Sequence, residues 1–306
     1  MARVHVDRSI GCFTYDSATP PRARIAPGGE VSIETRDPRS GALIVGPADT
    51  FQPYPPPPGG RSNALTGPIE VAGARPGDVL AVTVQAIDLE PVGYMAAKDL
   101  GFVVPLGSID DAAIGVVAVG SDAVHWRGRR IGLRPMVGCL GVAHPDRPGS
   151  GQVGAFGGNF DHIVLSTGCT VYLPIFEPGA LLYVGDVHAA MGDGELSCGG
   201  VEIAARVDLR VDVVPATALA RPRLDTGDRI ATTGWGRDFA DARRMCVSDM
   251  LDLMTASLGI GSAEALMLIS IAGDLRIGQA CGNMEMTLRL EMPKLEGMSP
   301  LAGAQR

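Results

Sequence analysis

The sequence predicts a β-rich α+β fold: a multi-stranded β-sandwich or barrel-like core, with a C-terminal helix pair that returns to strand. Three observations predict it. Short apolar runs alternate at period two along most of the chain. Gly and Pro are abundant, 41 and 23 of 306 residues, which suits many turns between short strands rather than a helical bundle. From Arg237 to Leu258 the apolar period lengthens to three and four, the mark of an amphipathic helix.

The elements follow in order. Pro27-Gly28-Gly29 is a turn, and Val31, Ile33 and Thr35 share one face of the next strand. Glu34 and Asp37 read as solvated acids there. Gln52 to Gly60 is a proline run, QPYPPPPGG, expected as an extended surface segment. Thr66-Gly67-Pro68 and Arg75 to Asp78 read as turns, and Val79 to Ile87 as a strand. Val116 to Val119 adds a short apolar run, and His125-Trp126 falls on a strand edge or turn. Pro135 to Pro148 is an apolar strand entering a loop, and Cys139 within it reads as packing rather than as a nucleophile beside His144. Ala180 to Val184 is a buried strand. Val201 to Val214 is a long one, with Val207, Leu209, Val211 and Val213 inward and Asp208, Arg210 and Asp212 outward.

The helix of 237–258 buries Phe239, Ala242, Cys246, Met250, Leu253 and Met254. Gly259 and Gly261 stop it, and Ser262 caps a second helix to about Ala272, with Leu266 and Ile269 on its apolar face. Asp274 to Lys294 returns to strand with Met286, Leu288 and Leu290 alternating; Gln279, Asn283 and Glu285 are its polar residues. No repeat of fixed period and no long linker divides the chain. It reads as a single domain over 1–306, with a sub-division point near 135–150 and a helical insertion about 237–272.

The net charge of −8, with no basic stripe, excludes a nucleic-acid partner. The N-terminus has no apolar stretch of signal-peptide type. The longest apolar run, near 253–272, is interrupted by glycine and Glu264, so a membrane partner is not expected. Six scattered cysteines without a CxxC pair read as buried thiols. A cytoplasmic enzyme is the expectation.

The stretch with chemical content is 154–202. Asp161, Asp186, His188, Asp193, Glu195 and Glu202 sit there among glycines and alanines instead of lysines and arginines. In an extended chain Asp186 and His188 share a face, and the Gly192-Asp193-Gly194-Glu195 run repeats that spacing. Two such pairs supply one imidazole and three carboxylates, a mixture that suits a divalent ion, zinc included. The same residues singly read as ordinary turn acids.

The chain resembles the acetamidase/formamidase family of amide hydrolases. The resemblance is carried by LTGPIEVAGARPGDVLAV (65–82), GCLGVAHP (138–145), GGNFD (157–161), GCTVYLPIFEPGALLYVGDVHAAMGDGE (168–195) and DLRIGQACGNMEMTLRLEMPK (274–294), in that order. It implies hydrolysis of small linear amides to carboxylate and ammonia, a divalent metal and a homo-oligomer. Zinc is the first choice of ion, with calcium or magnesium as alternatives. It further implies metal ligands Asp161, Asp186, His188 and Asp193, with Glu195 or Glu202 moving protons. Asn159 would orient substrate or oxyanion, and Gly158 and Met191 would line the substrate site; Met191 stands where the family pattern commonly has glutamine. A related lactamase or amidase, a non-catalytic binding protein and a covalent amidase are the competing readings. The last would have to use Lys98 or Lys294, the chain's two lysines.

Overall fold

Alternating valines fold this chain into strands that bury one face or both. A computed structural model describes residues 3–53, 62–97, 103–109, 112–215, 219–281 and 285–304. Most of the proline run, Lys98 and Asn283 lie outside them. The described residues form twenty-one strands and two helices.

The strands make two large sheets. In the first, the order across the sheet is Val4–Val6, Gly29–Thr35, Ala205–Val214, Val79–Leu89, Thr170–Pro174, Arg223–Asp225, Arg229–Gly236, Met286–Pro293 and Asp274–Ile277. The second is organised around Leu182–His188, which pairs with Met136–Val142 on one side. On its other side it pairs first with Leu65–Val71 and then with Glu202–Ile203. One apolar core joins the sheets: Ile33, Val82, Val171 and Leu209 of the first meet Val137, Leu140, Leu182 and Val187 of the second. A β-rich sandwich with a C-terminal helix pair is thus the observed architecture.

Several local expectations are corrected. The expected strand 201–214 is two strands, Glu202–Ile203 in one sheet and Ala205–Val214 in the other. The chain changes sheets at Ala204, whose carbonyl accepts from Glu90 N. Thr66-Gly67-Pro68 is no turn but the interior of the strand Leu65–Val71. A Cβ on Gly67 would meet the Leu182 carbonyl at 2.7 Å, so glycine marks a bulge where the register against Leu182–His188 shifts. Asp37 is buried, accepting from the backbone N–H groups of Arg39 and Gly41. Asp208 is buried too, under the Arg3 guanidinium.

The first helix, α1, runs Phe239–Leu258. Asp238 caps it by accepting from Asp241 N, and left-handed Gly259 closes it. Phe239 is exposed beneath Arg243 instead of buried. The second, α2, spans Ser262–Ala272. Its N-cap is Gly261 without a side-chain bond, so Ser262 does not cap it, and it buries Ala265 and Ile269 while Leu266 faces outward. No single helix among the described residues is long and apolar enough to cross a membrane.

Beneath the helices, Arg223 donates to both oxygens of Asp249 at 3.0 and 2.6 Å, and its remaining N–H groups reach the Pro300 and Ala302 carbonyls. Removing one partner strands a buried charge. Asp249→Ala is expected to destabilise the fold by about 3–5 kcal/mol, read as a fall in the urea midpoint of the helix signal.

Candidate metal centre

The strand Leu182–His188 carries the centre at its C-terminal end. Gly185 pairs with Leu65 and Val187 with Ile203, so Asp186 falls at the seam where one neighbouring strand hands over to the next. Its backbone is left-handed there, with φ at 56°. His188 lies directly across from Glu202 in the adjoining strand pair. Asp161 follows the strand Gly157–Asn159, and Glu195 sits in the loop beyond Met191. Both are left-handed, at 50° and 46°. Three non-glycine acids in this region of backbone space, each costing roughly 1–3 kcal/mol, are held by the fold around them.

Five of the predicted residues come together. Asp161, Asp186 and His188 bring one ligand atom each to within 4.8 Å of one another, and so do His188, Glu195 and Glu202. His188 Nε2 lies 3.0 Å from Glu202 Oε2 and 3.9 Å from Asp186 Oδ1. Even so, both Asp161 oxygens, His188 Nε2, Glu195 Oε2 and Glu202 Oε2 are buried without a hydrogen-bond partner. The His188–Glu202 approach is short but not aligned as a hydrogen bond. Unpartnered buried oxygens and a ring nitrogen converging on one point fit a cation, because leaving such atoms unsatisfied is costly. One nitrogen with several carboxylate oxygens is a donor set that zinc accepts.

The electrostatics agree. Burial and the neighbouring acids push the Asp186 and Glu195 carboxyls well above their usual range, and burial raises Asp161 to about 6. Burial alone would disfavour a charged imidazole, yet Glu202, Asp186 and Asp161 together raise His188 to about 10. The site therefore draws positive charge strongly.

Asp193 does not join it. Gly194 and Glu195 are both left-handed, so the alternation expected across 193–195 is broken. Asp193 turns away to form a two-point pair with Arg289 at 2.7 and 3.0 Å, while Glu195 turns inward. Asn159 stands at the flank. Its Oδ1 accepts from Asn63 Nδ2 at 3.1 Å and lies 2.9 Å from the Cys139 thiol. Gly158 is buried in its strand, where a Cβ would strike the Gln152 carbonyl at 2.1 Å. Met191 is buried on the wall of a neighbouring cavity.

The sequence reading missed several neighbours. Asn63 Nδ2 also donates to Asp186 Oδ2 at 3.1 Å, bridging two site residues from far away in the chain. Met136 Sδ approaches His188 Nδ1 at 3.1 Å, leaving Nε2 to face the acids. Gly138 lies beneath the centre: a Cβ there would be 2.6 Å from Asp161 Oδ1 and 2.7 Å from the Asp186 carbonyl. Its place in the Val-Gly-Cys-Leu-Gly run is the one sequence signal that could have drawn attention to it, since a glycine inside a strand often marks close approach. Cys139 is fully buried, with its thiol pushed well up by burial and by Asp186 and Asp161, so it is not a ready nucleophile.

Comparison with known proteins agrees with this architecture. Residues 152–226 match the model of the acetamidase/formamidase family. The crystal structure of an acetamidase from Bacillus halodurans superposes with a TM-score of 0.88 at 32% identity, over 95% of this chain and 97% of that one. A predicted acetamidase/formamidase from Thermoanaerobacter tengcongensis gives 0.86 at 31%, over 95% of each. A putative formamidase of Schizosaccharomyces pombe is 28% identical over 218 residues; the match spans 50% of this chain and about half, 52%, of that protein.

Two sheets sharing one core, with an acid–imidazole centre built on the second of them, define the class. Within it, this chain belongs to the acetamidase/formamidase family.

Replacing Gly138 by alanine is expected to displace Asp161 and Asp186 while leaving the apolar core in place. Titration of the purified variant with zinc should give at least tenfold weaker binding than the parent, as loss of supporting geometry around metal ligands commonly does. A melting temperature within a few degrees of the parent's would separate this effect from unfolding.

Proposed function

We propose that the chain hydrolyses the C–N bond of small linear amides to carboxylate and ammonia, using a divalent metal, zinc first, held by Asp161, Asp186, His188 and Glu202. The observation that carries this reading is the convergence of buried, partnerless carboxylate oxygens on His188 Nε2. The imidazole in the set favours zinc over calcium or magnesium, which prefer all-oxygen sites. Such an ion, when bound, supplies Lewis acidity toward the amide carbonyl and lowers the pKa of water.

The chain's own residues divide the remaining work. Glu202 is fixed by Gly200 N, which donates to its Oε1 at 3.2 Å, and so it holds position beside His188. Glu195 lines the cavity that adjoins the centre and has Oε2 without a partner. It is therefore the better placed of the two glutamates to take a proton from water at Oε2 and return it to the departing nitrogen. Asn63 orients Asp186 and Asn159 together by donating to Asp186 Oδ2 and Asn159 Oδ1, and the Asn159 NH₂ serves as donor to the substrate carbonyl. Against a covalent route stand Lys294, engaged with Asp225 at 2.8 Å, and the buried Cys139 thiol. Assembly into a homo-oligomer and a cytoplasmic location belong to the same reading, tested by sedimentation and by cell fractionation.

The purified protein is expected to release ammonia from small amides, lose that activity to a chelator and regain it with zinc. His188→Ala should abolish tight zinc binding and turnover together. Glu195→Gln should keep the ion yet lower kcat by about a hundredfold or more, the range for loss of a general acid–base. Zinc-loaded protein that releases ammonia from no amide would leave a binding protein on the same scaffold as the account.

A further inference from the structure

The cavity beside Glu195 has a volume of about 520 Å³. Pockets that hold ligand-sized molecules span roughly 300–1,000 Å³, whereas formamide needs the space of about two waters, roughly 60 Å³. The space is thus far larger than the smallest amides fill. Its walls are apolar: Met95, Ile131, Met191, Leu196 and Val201 contribute side chains. Ile131 and Leu196 are 46% and 61% exposed, so a ligand settling between them would remove apolar surface from water.

The floor brings this cavity against the centre. Gly199 and Gly200 line it with bare backbone. A Cβ on Gly199 would lie 2.7 Å from Glu202 Oε1, and one on Gly200 3.1 Å from the His188 ring. Along this wall backbone packs directly against Glu202 and His188, where any larger residue would collide, and Glu195 is the site acid that lines the cavity itself. Polar groups on the wall are mostly engaged elsewhere. Asp193 is held by Arg289, and the Ser197 hydroxyl donates to the Gly199 carbonyl. Arg134 stands exposed at the rim.

We infer that the cavity is the acyl subsite, and that the substrate class is primary amides bearing an apolar acyl group of about four to eight carbons or an aromatic ring. The inference rests on the amidase reading above and narrows it. An acyl chain lying along Met191 and Leu196 places its carboxamide at Glu195, where the apolar wall ends and the acids begin. Formamide would reach the same acids with nothing to hold it.

The test is a ladder of kcat/KM on zinc-loaded enzyme across formamide, acetamide, butanamide, hexanamide, phenylacetamide and the anionic glutaramate. The expected result is a rise of about fourfold per added methylene, the transfer of one CH₂ out of water, with phenylacetamide above acetamide and glutaramate below butanamide. Leu196→Glu should flatten that slope, and its melting temperature reports whether it folds. Calorimetric binding of hexanamide and acetamide to the same samples gives a readout independent of turnover. A flat or falling ladder with short amides still hydrolysed overturns the inference and leaves the amidase reading intact, as does a preference for glutaramate, which would assign the cavity to Arg134. If no amide is turned over, tighter binding of hexanamide that Leu196→Glu abolishes upholds the apolar subsite while the amidase reading fails. Equal or absent binding overturns both.

Discussion

Asp161, Asp186, Glu195 and Glu202 carry like charge into a buried space, and among the described residues His188 is the basic group that shares their cluster. Acids so placed repel each other, and removal from water disfavours each ionised form. Arg289, the buried guanidinium of the strand Met286–Pro293, does not relieve them, because it is bound to Asp193 and Glu291. The cluster is stable as carboxylates only with positive charge at its centre. Much of the surrounding structure can be understood as holding it together against that repulsion.

Three devices do so. The backbone is forced left-handed at Asp161, Asp186 and Glu195, which aims their side chains inward from three separate segments. Glycines stand where a side chain would displace a carboxylate: Gly138 under Asp161 and Asp186, Gly199 against Glu202. The loops are tied to one another across the chain. Gly194 exchanges backbone hydrogen bonds with Gly278 and Ala280, Gln279 Nε2 donates to the Asn159 carbonyl, and the Cys198 thiol donates to the Cys281 carbonyl. The loop that carries Glu195 is therefore fixed to the C-terminal strands, which explains why a site read from the middle of the chain depends on its end.

Much of this was legible in the residues. Period-two valines gave the sheets, and the lengthened period of 242–254 gave α1. Asp186 and His188 do converge, as their spacing suggested, although Asp186 departs from the extended backbone assumed for it. Asp193 was misplaced for the same physical reason in reverse: spacing predicts a shared face only while the chain stays extended, and Gly194 and Glu195 turn it. Asn63 and Met136 lie far from the acid-rich stretch, and nothing local marks them; pairing of Leu65–Val71 and Met136–Val142 with Leu182–His188 brings them in. The outward face of α2 was misjudged because its residues are apolar nearly all round, so periodicity could not choose which side to bury.

The central proposal is that a single positive ion completes this cluster. The direct measurement is a crystal structure of the zinc-loaded protein with anomalous scattering recorded on both sides of the zinc absorption edge. The account predicts one strong edge-dependent peak bonded to His188 Nε2 and to oxygens of the surrounding acids, with Asp193 still on Arg289. A map without such a peak, in which His188 Nε2 instead donates a well-aligned hydrogen bond to Glu202, would contradict it.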